Sequence, residues 1–140
     1  MPDSFGYLMT ATIDNNAKSP RRVLPLTHES VTHKFSINGH EGYLTIGLFS
    51  DGSPGEIFIK MSKEGSTLSG LIQGFSRAFS LAIQYGLPLN DAVDRFRNMR
   101  FDPMGITSNP SIPQATSILD YVAQYLDVEF NELSREASAA

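Results

Sequence analysis

The chain has 140 residues, no cysteine, 41% hydrophobic and 19% charged residues, and a formal net charge of −4. That size suits one domain able to bury a core without covalent staples, and the lack of cysteine excludes disulfides, zinc–thiolate sites, iron–sulfur clusters and thiol redox chemistry in this chain. The acidic balance argues against a nucleic acid polymer as main partner, and no apolar run is long enough to span a bilayer.

The N-terminus also lacks a signal-peptide core, so the expected location is the cytoplasm, or the host cytoplasm for a viral protein. The low charged fraction keeps self-association in view, because a surface poor in charge is often covered by a partner.

Residues 1–20 carry no periodic apolar pattern, and Asp14-Asn15-Asn16 and Ser19-Pro20 are coil signals, so this stretch is expected to be a flexible arm. One domain is expected over residues 21–133, followed by a short Ala/Ser tail over 134–140. Arg22 to Leu26 offers an edge strand. Thr32 to Ile37 reads as a strand, and Asn38-Gly39 is a strong hairpin signal. Gly42 to Phe49 returns, with Leu44, Ile46 and Leu48 on one face. After the turn cluster from Asp51 to Gly55, Glu56 to Ser62 alternates Ile57, Ile59 and Met61 against Phe58 and Lys60. These segments predict an antiparallel meander with one buried face.

The period then changes. Leu68, Leu71, Ile72, Phe75, Phe79, Ala82 and Ile83 recur at helical spacing, predicting a long amphipathic helix from Ser66 to Tyr85 that Gly86 ends and Pro88 keeps from continuing. Asn90 is placed to cap a second helix, with Asp91 and Asp94 near its positive end and Leu89, Val93, Phe96 and Met99 as its stripe. Ser111 is placed to cap a third, with Pro113 in its first turn and Ala115, Ile118, Leu119, Val122 and Leu126 inward. The predicted class is α+β, a small antiparallel meander followed by three helices packed on the sheet.

The stretch from Pro54 through "IFIKMSKEGSTLSGLIQGFSRAFSLAIQYGLPL" to Asn90, and "RFDPMGITSNPSIPQATSILDYVAQYL" from Arg100 to Leu126, resemble the C-terminal domain of adenosylcobalamin-dependent (class II) ribonucleotide reductases. The resemblance runs from about Arg21 to Leu126. That domain is named for a Thr-Ser-Cys-Pro-Asp motif, whose positions here are Thr107, Ser108, Asn109, Pro110 and Ser111. Asparagine in the cysteine position removes thiol chemistry there, while serine for aspartate keeps a helix cap. The catalytic barrel, the cobalamin site and the active-site cysteines belong to other parts of the family's longer polypeptide, and nothing here matches them. The resemblance thus implies the fold and a nucleotide-related role without reductase activity.

Three features bear on that role. Lys63, Ser66 and Thr67 join a strand to a helix N-terminus, where free N–H groups and the dipole favour a phosphate; a plain loop with a serine cap is the competing reading. Arg95, Arg97 and Arg100 lie near the end of the second helix, either as dipole-favoured cations or as a phosphate clamp, and Arg77 and Asn90 are further candidate ligand-binding residues. Ser69, Gln73, Ser76, Ser80 and Gln84 make a polar stripe without charge, bordered by Gly70, Gly74, Arg77 and Leu81. Glycine costs up to ~1 kcal/mol inside a helix, so close approach is expected there, either of another element of the same chain or of a second copy through the 66–85 helix.

Phe75 and Phe79 read as core residues rather than base-stacking platforms. His28, His33 and His40 are expected on strand or loop surfaces, and no metal site, cofactor or catalytic constellation is expected. The leading expectation is a non-catalytic nucleotide-binding module that regulates a reductase or, as a phage anti-defence sponge, sequesters a cyclic signalling nucleotide. The alternative is a detached subunit docking onto a cobalamin-dependent reductase.

Overall fold

A computed structural model describes residues 20–131. The expected N-terminal arm, but for Pro20, and the expected tail lie outside the described residues. Three antiparallel strands, β1 (Ser30–Ile37), β2 (His40–Leu48) and β3 (Pro54–Met61), form a sheet in that order. Helices α1 (Ser66–Gln84) and α2 (Leu89–Phe96) follow. A two-stranded ribbon comes next, β4 (Gly105–Ile106) with β5 (Gln114–Ala115), and then α3 (Ile118–Leu126), which runs into a π-helical turn at Asp127–Asn131.

The meander forms as its pattern predicts. Asn38 and Gly39 both have positive φ (49° and 81°), the combination that a two-residue hairpin turn demands. Ser30 pairs with Gly47 and Ile37 with His40. Alternation places Phe35, Ile37, Leu44, Ile46, Ile57, Ile59 and Met61 on one face, all buried. The other face carries Thr32, Lys34, Tyr43, Phe58 and Lys60, of which Phe58 is half exposed.

The helices cover the apolar face. Ile72 and Phe79 of α1, Ala92 and Val93 of α2, and Ile118, Leu119, Val122 and Leu126 of α3 join one core with the sheet. Phe96 meets Phe75 edge-on at 5.0 Å, tying α2 to α1 and placing Phe75 and Phe79 in the core as expected.

Four expectations are corrected. Residues 22–26 form no strand; the Arg22 N–H donates to the Gln84 carbonyl at 2.9 Å, and Pro25 brings no donor to a ladder. Helix α2 begins two residues early, because Pro88 (φ −63°, ψ 138°) stands at the cap position, and Asn90 falls within the first turn. Met99 lies beyond the helix and is exposed. The third helix starts at Ile118, not after Ser111: pairing of Gln114–Ala115 with Gly105–Ile106 keeps that stretch extended. Its cap is Ser117, whose Oγ accepts the Asp120 N–H at 2.9 Å. Ser117→Ala is expected to cost about 1 kcal/mol, measured by chemical denaturation.

The uncharged stripe of α1 has a definite task. Ser76, Ser80 and Gln84 are buried, at 2%, 8% and 5% exposure. Ser80 Oγ accepts the Ile57 N–H at 2.9 Å and lies 3.2 Å from the Ile57 carbonyl, while Gln84 Nε2 donates to the Gly55 carbonyl at 2.8 Å. Ser80 and Gln84 therefore satisfy the outer edge of β3 at Ile57 and Gly55, as a neighbouring strand would. Same-chain packing accounts for Ser76, Ser80 and Gln84. The bordering glycines are different: a Cβ added at Gly70 or Gly74 meets nothing within 4 Å. Gly70→Ala and Gly74→Ala are therefore each expected to stabilise the fold by about 0.5–1 kcal/mol. A loss of stability in the monomer would show that a close neighbour is present.

Candidate functional site

The Thr107–Ser111 motif is a structural staple. Ser108 exchanges two bonds with β1, its Oγ accepting the Ser36 N–H at 2.9 Å and its N–H donating to the Ser36 carbonyl at 3.1 Å. Thr107 Oγ1 bonds the Ile112 carbonyl, and Asn109 Oδ1 accepts the Ser111 N–H at 2.9 Å. Together with Asn38 N–H on the Ile106 carbonyl at 2.8 Å, these bonds cover the end of β1's outer edge.

Asn109 Nδ2 also donates to the Tyr121 hydroxyl at 3.2 Å, and that hydroxyl lies 2.7 Å from His33 Nε2. A phenol accepting from Asn109 has its own proton to give to His33 Nε2, which requires neutral imidazole. His33, expected on a surface, is instead half-buried on the core face of the sheet, its ring stacked 4.3 Å from that of Tyr125. Burial lowers its pKa from the usual value near 6.5, and Glu129 raises it by a smaller amount. Burial likewise raises the Tyr121 phenol, which the Asn109 bond opposes only in part.

The unfolded chain binds the His33 proton more tightly than the native one, so this residue's contribution to stability is present above about pH 6.5 and is lost as pH falls below it. His33→Gln is expected to flatten that part of the curve, read as melting temperature against pH between about 7.5 and 5.

The residues read from sequence as a phosphate site fall on separate surfaces. Lys63 lines a cavity at the hairpin end with His40, Glu41 and Glu64, where His40 Nδ1 lies 2.7 Å from Glu64 Oε1. Ser66 and Thr67 begin α1, which has no side-chain cap and no acid in its first turn. Asn90 and Arg97 line a cavity with Asp94, Asp127 and Asn131, and Arg97 Nη1 lies 3.5 Å from Asp127 Oδ2. One guanidinium there faces two carboxylates. Arg95 and Arg100 are exposed on α2 and the loop beyond it.

Arg77 lies elsewhere, ~16 Å along α1 from its start at 1.5 Å per residue. It lines a groove of about 480 Å³ between α1 and the outer edge of β3, with Phe58, Ile59, Lys60, Met61, Ser69, Ile72, Gln73 and Ser76. This groove combines two cations, three uncharged hydrogen-bonding side chains and no carboxylate. Neither Lys60 nor Arg77 has an ion-pair partner among the described residues. Lys60 was legible only as an outward position of β3, since the groove arises where α1 leaves the strand.

Among the described residues no group of three His, Cys, Asp or Glu is placed to hold a metal ion. No helix among them is long and apolar enough to cross a membrane.

With the motif staple and the sheet in place, comparison with known proteins decides the family. The family model described as the TSCPD domain matches residues 15–130. The chain belongs to the TSCPD domain family. It is 50% identical over 133 residues to the vitamin B12-dependent ribonucleotide reductase of Rhodopirellula baltica, covering 92% of this chain and 13% of that protein. It is 44% identical to the enzyme of the same name from Streptantibioticus cattleyicolor, over 79% of this chain and 18% of the relative. Against that of Bradyrhizobium diazoefficiens it is 46% identical, over 79% of this chain and 9% of the relative. This TSCPD domain thus spans less than a fifth of each of these relatives. No solved structure matches it.

Proposed function

We propose that this TSCPD domain is a non-catalytic binding module whose ligand is a phosphate-bearing nucleotide held in the groove between α1 and β3. The observation that carries this reading is the pair of cations, Lys60 and Arg77, which have no ion-pair partner among the described residues and line a groove with no described carboxylate. Guanidinium and ammonium groups suit phosphate oxygens, and Ser69 and Gln73 supply neutral partners for a sugar or base. A volume of about 480 Å³ falls in the range of small-molecule sites, ~300–1,000 Å³. Asn109 in the motif's cysteine position supports the non-catalytic part.

Calorimetric titration of the full chain with nucleoside mono-, di- and triphosphates and cyclic nucleotides tests the reading. Saturable binding of at least one is expected, and heats indistinguishable from dilution for all would refute it. Preference for a cyclic nucleotide would favour sequestration, and preference for a linear one, regulation of a reductase in the cytoplasm.

A second reading has its own observation. On the outward face of α1, Leu71, Leu81 and Tyr85 are exposed at 68%, 45% and 55%, beside the open Gly70 and Gly74. Such a face suits another protein surface, either a second copy of this chain or a reductase core. Light scattering across a concentration series tests the first partner. Co-purification with a cobalamin-dependent reductase lacking this domain tests the second.

A further inference from the structure

One wall of the groove carries an open aromatic ring. Strand alternation turns Glu56, Phe58 and Lys60 to the outer face of the sheet, away from the core that Ile57, Ile59 and Met61 fill. Phe58 is 50% exposed, and its cross-strand partner is the short side chain of Thr45. Nearby rings on the sheet are engaged. Lys34 Nζ lies 6.0 Å from the centre of the Tyr43 ring, and the Arg22 guanidinium carbon lies 3.9 Å from that of Phe49. Phe35, Phe75 and Phe79 meet other rings in the core. Among the described residues no ring and no cation sits on Phe58.

The charges around this ring have a direction. Lys60 stands two residues further along the same face, ~7 Å away, without an ion-pair partner among the described residues. On the other side of Phe58, Glu56 Oε1 lies 3.2 Å from His28 Nε2. Helix α1 runs antiparallel to β3, with Gln84 on Gly55 and Ser80 on Ile57, so Arg77 and Gln73 fall beyond Ile57, toward Lys60. A ligand lying on Phe58 therefore meets two cations in one direction along the strand and a carboxylate in the other.

We propose that a nucleobase stacks on the open face of Phe58, with its phosphate turned toward Lys60 and Arg77. This assignment rests on the nucleotide reading of the groove and deepens it, because the base is held as well as the phosphate. Every nucleobase has a flat π face, and stacking on an aromatic side chain tolerates any of them. The site thus selects phosphates that carry a base over sugar phosphates and inorganic phosphate. Two outward positions on one strand suit the reach from a base across its ribose to a 5′-phosphate. Ser69 and Gln73, which line the same groove, remain for the ribose hydroxyls.

Calorimetric titration of the full chain with adenosine 5′-monophosphate and with ribose 5-phosphate tests the stacking. The wild-type chain is expected to prefer the nucleotide by roughly tenfold or more. Phe58→Leu keeps an apolar side chain but no π face, and is expected to bring the two ligands within about threefold of each other. Phe58→Tyr restores an aromatic face and is expected to keep the preference. Equal wild-type affinities, or a preference that survives Phe58→Leu, would overturn the stacking and leave the groove reading standing. A wild-type chain that binds neither ligand overturns both. A second readout needs no variant: the adenine ring protons should give nuclear Overhauser contacts to the Phe58 ring, and contacts to a different aromatic ring instead would contradict the assignment.

Discussion

Replacing Asp120 with alanine is expected to lower stability by about 3 kcal/mol or more and the melting temperature by on the order of 10–20 °C. The Asp120 side chain is 2% exposed and ties three segments together. Its Oδ1 accepts the Asn98 N–H at 2.7 Å; its Oδ2 accepts the Thr116 N–H and Gln124 Nε2, each at 2.9 Å. Alanine leaves two part-buried backbone donors without their acceptor, and each donor left unsatisfied away from water costs ~1–3 kcal/mol. Asn98 matters most, because it sits at positive φ (69°) where the chain leaves α2, and the Asp120 bond fixes that turn against α3. Asp120→Asn keeps the shape but converts one acceptor into a donor, so its loss should fall between wild type and alanine. Thermal and urea unfolding of the three proteins check the order, and a loss below about 1 kcal/mol for alanine would show that the three bonds do not hold the turn.

The fold was largely legible because its signals are local. Period-two alternation placed Leu44, Ile46, Ile57 and Ile59 inward, and Asn38-Gly39 fixed the hairpin. What escaped was non-local. The ribbon of β4 and β5 has only two residues in each strand, too short to show a period, and it moved the third helix's cap from Ser111 to Ser117. Helical periodicity revealed the uncharged stripe of α1 but not what it faces. Ser80 and Gln84 serve backbone groups of β3, and a backbone edge leaves no mark on side-chain pattern. Of the candidate site, Arg77 was legible as a cation and Ser69, Gln73 and Ser76 as an uncharged stripe, but Lys60 was not. Arginines close in sequence at 95, 97 and 100 invited a clamp, yet Arg97 turns to Asp127. Lys60 and Arg77, seventeen positions apart, meet only because α1 lies along β3.

Arg77→Glu is expected to weaken nucleotide binding at least tenfold, about 1.4 kcal/mol. The substitution takes the groove from two cations and no anion to one of each, so a phosphate meets repulsion where it met a guanidinium. Arg77 is exposed and makes no ion pair among the described residues, so the melting temperature should change little. Binding by the wild-type chain should also fall as ionic strength rises. Arg97→Ala, which breaks the pair with Asp127 beside α2, is the control and should leave affinity within about twofold. Affinity that survives Arg77→Glu but collapses with Arg97→Ala would move the ligand to α2.

Whether the proposed ligand sits between α1 and the edge of β3 is read from an NMR titration of the isotope-labelled full chain with a nucleotide that binds. Binding in that groove predicts saturable shifts concentrated at Ile59, Lys60, Met61, Ser69, Gln73 and Arg77. Shifts centred instead on Asn90, Arg97 and Asn131, or spread evenly over the surface, would contradict it.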